Sequence, residues 1–184
     1  MTERGQELAA TADQQIAELI DLLVALDQAA LDRPCPGREK LGDGTIAAAA
    51  RHTADNYQRI AGFVQTSDHM SAGHQPQGGG HRMPRFLRAL GHGPQDHAER
   101  GHGAGRHDDQ YTADTTDPAA VVEALTAARD ALGRIAELTD SQLDQIPPKD
   151  VFRFCDGQRT LEQVLAALLK HQAHQVDALT TAVA

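Results

Sequence analysis

Aromatic residues make up only 3 % of this 184-residue chain and tryptophan is absent. A core must therefore come from Ala, Leu, Val and Ile, which favours helices and disfavours an all-β architecture. Cysteine is scarce too: Cys35 and Cys155 are the only two, they form no CxxC pair, and no disulfide framework can be built on them. They read as reduced thiols. Basic charge is in deficit, with 17 Lys and Arg against 26 Asp and Glu, a formal charge of −9. That balance argues against a phosphate-backbone binder, so nucleic acid is not an expected partner. The start, MTERGQELAA, has neither the basic nor the apolar region of a secretion signal, and no apolar run approaches the roughly 20 residues of a membrane span. The expectation is a cytoplasmic protein with no membrane partner.

The apolar residues that are present recur at helical spacing in four stretches. The first, from about Glu7 to Leu31, carries Ile16, Leu19, Ile20, Leu23, Leu26 and Ala30, and stops before Pro34 and Pro36. The second, Thr45 to Gln65, places Ile46, Ala49, Ala50, Tyr57, Ile60 and Val64 on one face and contains His52. A third begins at Thr116-Asp117-Pro118, a capping side chain followed by proline in the first turn, and runs to about Leu138. The fourth opens on a capping-box pattern, Thr160 with Gln163, and contains His171 and His174.

Four such helices imply one all-α domain over 1–184, a four-helix bundle. The links of about 12 and about 20 residues exceed what antiparallel neighbours need, and about 12 extended residues can just span a helix of roughly 36 Å. They predict return crossovers and an up-up-down-down bundle. In it the second and fourth helices run antiparallel, and His52 and His171 lie within about 6 Å of the same level. Cys35 and Cys155 then share one end of the bundle, away from the mid-bundle histidines, as structural thiols and not ligands. Residues 67–115, rich in Gly and His, read as a surface insertion with one short apolar cluster at Phe86, Leu87 and Leu90. Its His92, His97, His102 and His107 recur every five residues, matching neither a helix face nor a strand face.

Neutral imidazole suits a divalent transition metal, so the helix histidines form a candidate metal site. On the last helix Gln172 and Gln175 fall within the apolar face, where polar groups need partners, and His171 sits at its edge. The third ligand is His174 at i+3, Gln175 at i+4 or an insertion histidine, with His174 favoured as the better ligand for a borderline metal. The plain alternative is a core-edge His171 bonded to a carbonyl and a solvated His174. Asp55 and Asn56, beside His52, are candidates to orient a ligand or substrate, with Asp55 read first as a solvated residue.

The segment Arg33-Pro34-Cys35-Pro36-Gly37, followed by an Ala-rich helix reaching Arg51-His52-Thr53-Ala54-Asp55-Asn56, resembles the mycothiol-dependent maleylpyruvate isomerase family within the DinB-like superfamily. The last helix, Leu168-Leu169-Lys170-His171-Gln172-Ala173-His174-Gln175, resembles that superfamily's histidine helix. The resemblance covers the four helices and not the insertion. It implies a metal-binding up-up-down-down bundle, zinc before nickel or iron, with His52 and His171 as ligands. Mycothiol is the implied thiol cosubstrate. The chain departs from the pattern at Arg38, where the family has Trp, and at Gln175, where many members have a third histidine. It also stops where the isomerase continues into a second domain. The implied activity is metal-dependent thiol transfer or isomerisation on a small electrophile, by a monomer or a homodimer. Metal-assisted hydrolysis, metal buffering by the insertion histidines and metal-free binding of an organic ligand are the rival readings.

Overall fold

A computed structural model describes residues 1–70 and 116–184, apart from the side chains of 67–70. The expected insertion, with its apolar cluster and its histidines, lies outside the described residues. Among those described, the chain is all-α: α1 is Glu3–Val24, α2 Gln28–Leu31, α3 Ile46–Met70, α4 Pro118–Leu132, α5 Asp140–Leu143 and α6 Leu161–Val183. A 3-10 turn, Gly133–Glu137, prolongs α4. Among the described residues the one extended pairing is an isolated bridge between Pro34 and Thr45. No described helix is long and apolar enough to cross a membrane.

Local chemistry sets the ends of these helices. Asp117 caps α4, its side chain accepting from the Ala119 N–H with Pro118 in the first turn, and the Thr160/Gln163 capping box opens α6. The first helix stops at Val24, not at Leu31, because Asp27 accepts from the Ala30 N–H and so caps a separate turn, α2. An aspartate offered that role competes with continuation of the helix. Leu31 still reaches the core, so the apolar period continues across the break.

The direction of each helix follows from cross-helix bonds. Arg4, at the start of α1, pairs with Glu162, at the start of α6, and Arg33, just beyond α2, donates to the Ala182 carbonyl at the end of α6. These two helices therefore run the same way. The Ile46 N–H donates to the Arg33 carbonyl at 2.9 Å, so the link into α3 closes where it opened and α3 turns back. Asp13 of α1 pairs with Arg129 near the end of α4, and Thr2 donates to the Leu138 carbonyl, so α4 also opposes α1. The Leu161 N–H bonds the Gln145 carbonyl at 2.7 Å, which likewise closes the last link.

The order is up, down, down, up, which corrects the expected up-up-down-down. The links are long enough to cross the bundle but are consumed in turns: Arg38 N to Cys35 O, Leu41 N to Arg38 O and Gly44 N to Leu41 O follow one another. The same correction separates the cysteines. Cys35 lies at the end where α6 finishes, whereas Cys155 belongs to the link entering its start. Both are buried and free.

α1 packs on α4 and α6, and α3 packs on the same two helices. Ala12, Ile16, Leu19 and Leu23 of α1 meet Leu125 and Leu132 of α4 and Leu165, Leu168 and Leu179 of α6 in one buried cluster. Each such aliphatic side chain stabilises by about 1.5–3 kcal/mol when fully buried. α3 presents the small run Ala47 to Ala50 to this core. Tyr57, fully buried, donates its hydroxyl to Gln15 Oε1 at 2.9 Å and joins α3 to α1.

Candidate functional site

α3 and α6 run antiparallel, as expected, although by a different topology. Gln172 sets their register: it is 1 % exposed, and its Nε2 donates to the Thr53 carbonyl at 3.1 Å. That is the partner a polar residue in an apolar stripe requires. One residue away on each helix, His52 and His171 line the same cavity of about 460 Å3. Gln175, one turn beyond His171 and 8 % exposed, lines it too, with its side-chain amide 3.4 Å from His171 Nε2. His174 lies elsewhere. It is exposed and does not line the cavity, although its backbone carbonyl accepts from Arg38. Among the described residues, no three His, Cys, Asp or Glu side chains are gathered as a metal cage. The expected triplet is thus a pair of histidines with an amide.

Two segments outside the long helices complete the wall. The turn after Pro36 contributes Arg38 and Lys40. Glu39 lines the cavity with them, its Oε1 accepting from the Gly37 N–H at 2.8 Å. The link before α6 contributes Arg153, whose guanidinium lies 3.3 Å from His171 Nε2. Arg153 also rests 5.1 Å over the Phe154 ring, whose edge meets the His171 ring at a centroid distance of 6.3 Å. Phe152 stacks on Phe63 of α3 at 4.8 Å and fastens this link to the bundle. Phe154 has φ +68°, a left-handed conformation that is an outlier for a bulky residue and costs on the order of 1–3 kcal/mol. Such strain persists only where the surroundings impose it, and here it supports a side chain against His171.

Arg153 is always charged and has only donors, so His171 Nε2 facing it is an acceptor with its lone pair towards the cavity. Burial lowers the His171 pKa, and the neighbouring Arg153 guanidinium and then the His52 ring lower it further. The imidazole is held neutral, the form that binds metals. Burial raises both thiols, Cys155 to about 11. They are poor nucleophiles and poor ligands at neutral pH.

A smaller inner cavity of about 140 Å3 adjoins the first, sharing His171 and Arg153 with it. Asn56, Arg59 and Gln172 contribute its polar wall, and Ile60, Phe152 and Leu168 its apolar one. Asn56 thus lines a cavity, whereas Asp55 bonds Arg51 at 3.1 Å along the helix. Sequence reasoning missed Arg153, Phe152 and the cationic role of Arg38. The available signal was that two of only four phenylalanines flank one arginine in Phe152-Arg153-Phe154.

Compared with known proteins, the chain matches no family model, and no curated protein or solved structure is similar to it. The functional reading rests on the geometry of these two cavities and on the motifs in the sequence.

Proposed function

We propose that the protein is a metal-dependent transferase or isomerase of the DinB-like, mycothiol-dependent type, acting on a small electrophile with a small thiol such as mycothiol. The observation that carries this reading is the sharing of one cavity by His52 and His171, from facing antiparallel helices, with Gln175 beside His171. The donor set fits a borderline divalent ion such as zinc, two neutral imidazoles and an amide oxygen, with nickel or iron as the alternatives. Gln175 replaces His174 as the third ligand, because turning its amide brings the oxygen to the place its nitrogen occupies. The ion, when bound, is a Lewis acid that lowers the pKa of a thiol.

The residues of the chain supply the rest. Arg38, Lys40 and Arg153 outnumber Glu39 in the lining and give the cavity a net positive potential that draws in an anionic thiolate or substrate. The Arg153–Phe154 pair holds the His171 ring in place, and Gln172 fixes the level of α6 against α3.

Elemental analysis of untagged protein tests the ligand set. About one metal equivalent in the wild type and in His174→Ala, with loss in His52→Ala and His171→Ala and weakened retention in Gln175→Ala, is the expected pattern. Retention in His52→Ala or His171→Ala removes that residue from the set. Thiol consumption with candidate electrophiles then tests transfer.

A second reading, metal-free binding of an organic anion, is favoured by the Arg153 guanidinium 3.3 Å from His171 Nε2, which opposes a dication. Under it, chelation leaves ligand binding unchanged.

A further inference from the structure

We propose that the inner cavity is a subsite for a small hydroxy acid, a carboxylate bearing a hydroxyl group. The assignment rests on the reading above in taking this cavity as the acceptor-substrate subsite. Binding itself is tested on metal-free protein, so either reading can fail alone.

Three observations converge on this ligand. First, Arg59 and Arg153 line the cavity and, among the described residues, no carboxylate does, in a chain whose formal charge is −9. A confined wall of two guanidiniums selects an anion, and the planar fork of arginine suits a carboxylate. Second, two buried polar atoms of its lining side chains, Asn56 Nδ2 and Gln172 Oε1, have no hydrogen-bond partner among the described residues. The first is a donor and the second an acceptor. The orientation of Gln172 is fixed, because its Nε2 is committed to the Thr53 carbonyl. Third, helix spacing puts the two side chains at one level. Asn56 stands three residues after Thr53, on the same face of α3, and a helical side chain leans back towards the N-terminus. That brings it over the turn where Gln172 is anchored.

A hydroxyl group both accepts and donates, so one such group satisfies Asn56 Nδ2 and Gln172 Oε1 together. A simple carboxylate or an alkyl chain leaves at least the glutamine oxygen unpaired, and an unpaired buried acceptor penalises the complex. The volume, about 140 Å3, suits a ligand of a few heavy atoms. Phe152 and Ile60 receive its short carbon skeleton.

The test compares lactate, as either enantiomer, with propionate, which lacks the hydroxyl, and lactamide, which lacks the charge. Affinities are measured by calorimetry on chelator-treated full-length protein. Lactate is expected to bind about tenfold more tightly than either analogue. In Gln172→Leu, lactate and propionate should converge, and Arg59→Gln should weaken both equally while leaving lactamide unchanged. Equal wild-type affinity for lactate and propionate overturns the proposal, since water then satisfies the orphans. So does an absence of binding by all three ligands, or discrimination that survives in Gln172→Leu. The wild-type comparison stands even if a variant fails to fold. Metal content of the same preparation before chelation reports separately on the metal reading.

Discussion

Replacing Gln172 with leucine separates what this residue does for stability from what it does for the site. Gln172 is 1 % exposed and contributes one cross-helix bond, Nε2 to the Thr53 carbonyl at 3.1 Å. A typical intramolecular hydrogen bond contributes about 0.5–1.5 kcal/mol net. Its Oε1, buried without a partner among the described residues, costs about 1–3 kcal/mol. Leucine removes both terms and adds apolar burial, up to about 1.5–3 kcal/mol if it packs fully. The lost bond is therefore outweighed. Gln172→Leu is expected to be neutral or to stabilise by up to about 2 kcal/mol, while weakening lactate binding about tenfold. Urea denaturation followed by far-UV circular dichroism, with the midpoint read at constant m, measures the first quantity. Destabilisation beyond about 1 kcal/mol would refute the reasoning, because the helix–helix bond would then outweigh the orphaned oxygen.

Further outcomes follow from other parts of the molecule. Arg4 lowers the Glu162 pKa through their hydrogen bond, so the stabilisation is complete above the ordinary carboxylate range and is lost as pH falls through the lowered value. Glu162→Gln should flatten the fall in unfolding midpoint below about pH 4 relative to wild type, and an unchanged slope would contradict the pairing. In chelated protein His171 should titrate below the ordinary histidine value, and Arg153→Gln should bring it only part of the way back, since burial is the larger cause. Because the unfolded chain takes up that proton first, His171 costs stability as pH falls below about 6.5; imidazole NMR and a pH series of denaturation midpoints check both statements. A Cβ at Gly5 meets the Ile135 carbonyl oxygen at 2.7 Å, so Gly5→Ala forces α1 off the 3-10 turn and should cost about 1–3 kcal/mol, read by urea denaturation. Cys35 and Cys155 should resist a thiol reagent in the native protein and react fully in denaturant, and fast native labelling would show that they are not buried.

The parts of this architecture governed by local rules were legible in the sequence. Periodicity located the four long helices, and the side chains of Asp117, Thr160 and Gln163 marked their starts where they stand. The break after Val24 was hidden because Leu31 keeps the apolar period of α1 across the Asp27 cap. Topology was misread for a different reason. Chain length bounds how far a link can reach but not how far it goes, and Gly37, Gly42 and Gly44 take left-handed φ values that fold the link onto itself. The pairing of His52 with His171 needed only that α3 and α6 be antiparallel, which both topologies provide. Arg153 was out of reach because its position depends on the Phe63–Phe152 stack, a contact between residues 89 apart with no signature in spacing.

The closure between Arg33 and Ile46 gives the segment carrying Arg38 and Lys40 an unusual independence. Its two ends are tied to each other by the Ile46 N–H bond to the Arg33 carbonyl and by the Pro34–Thr45 bridge. What lies between can change in length or charge without altering where α3 begins, because lengthening a surface loop carries only a small entropic cost. The histidines belong to the rigid helices, whereas much of the positive rim of the cavity belongs to an exchangeable clip. The charge of this rim can therefore be rewritten at Arg38 and Lys40, with the buried Cys35 and the helices left as they are.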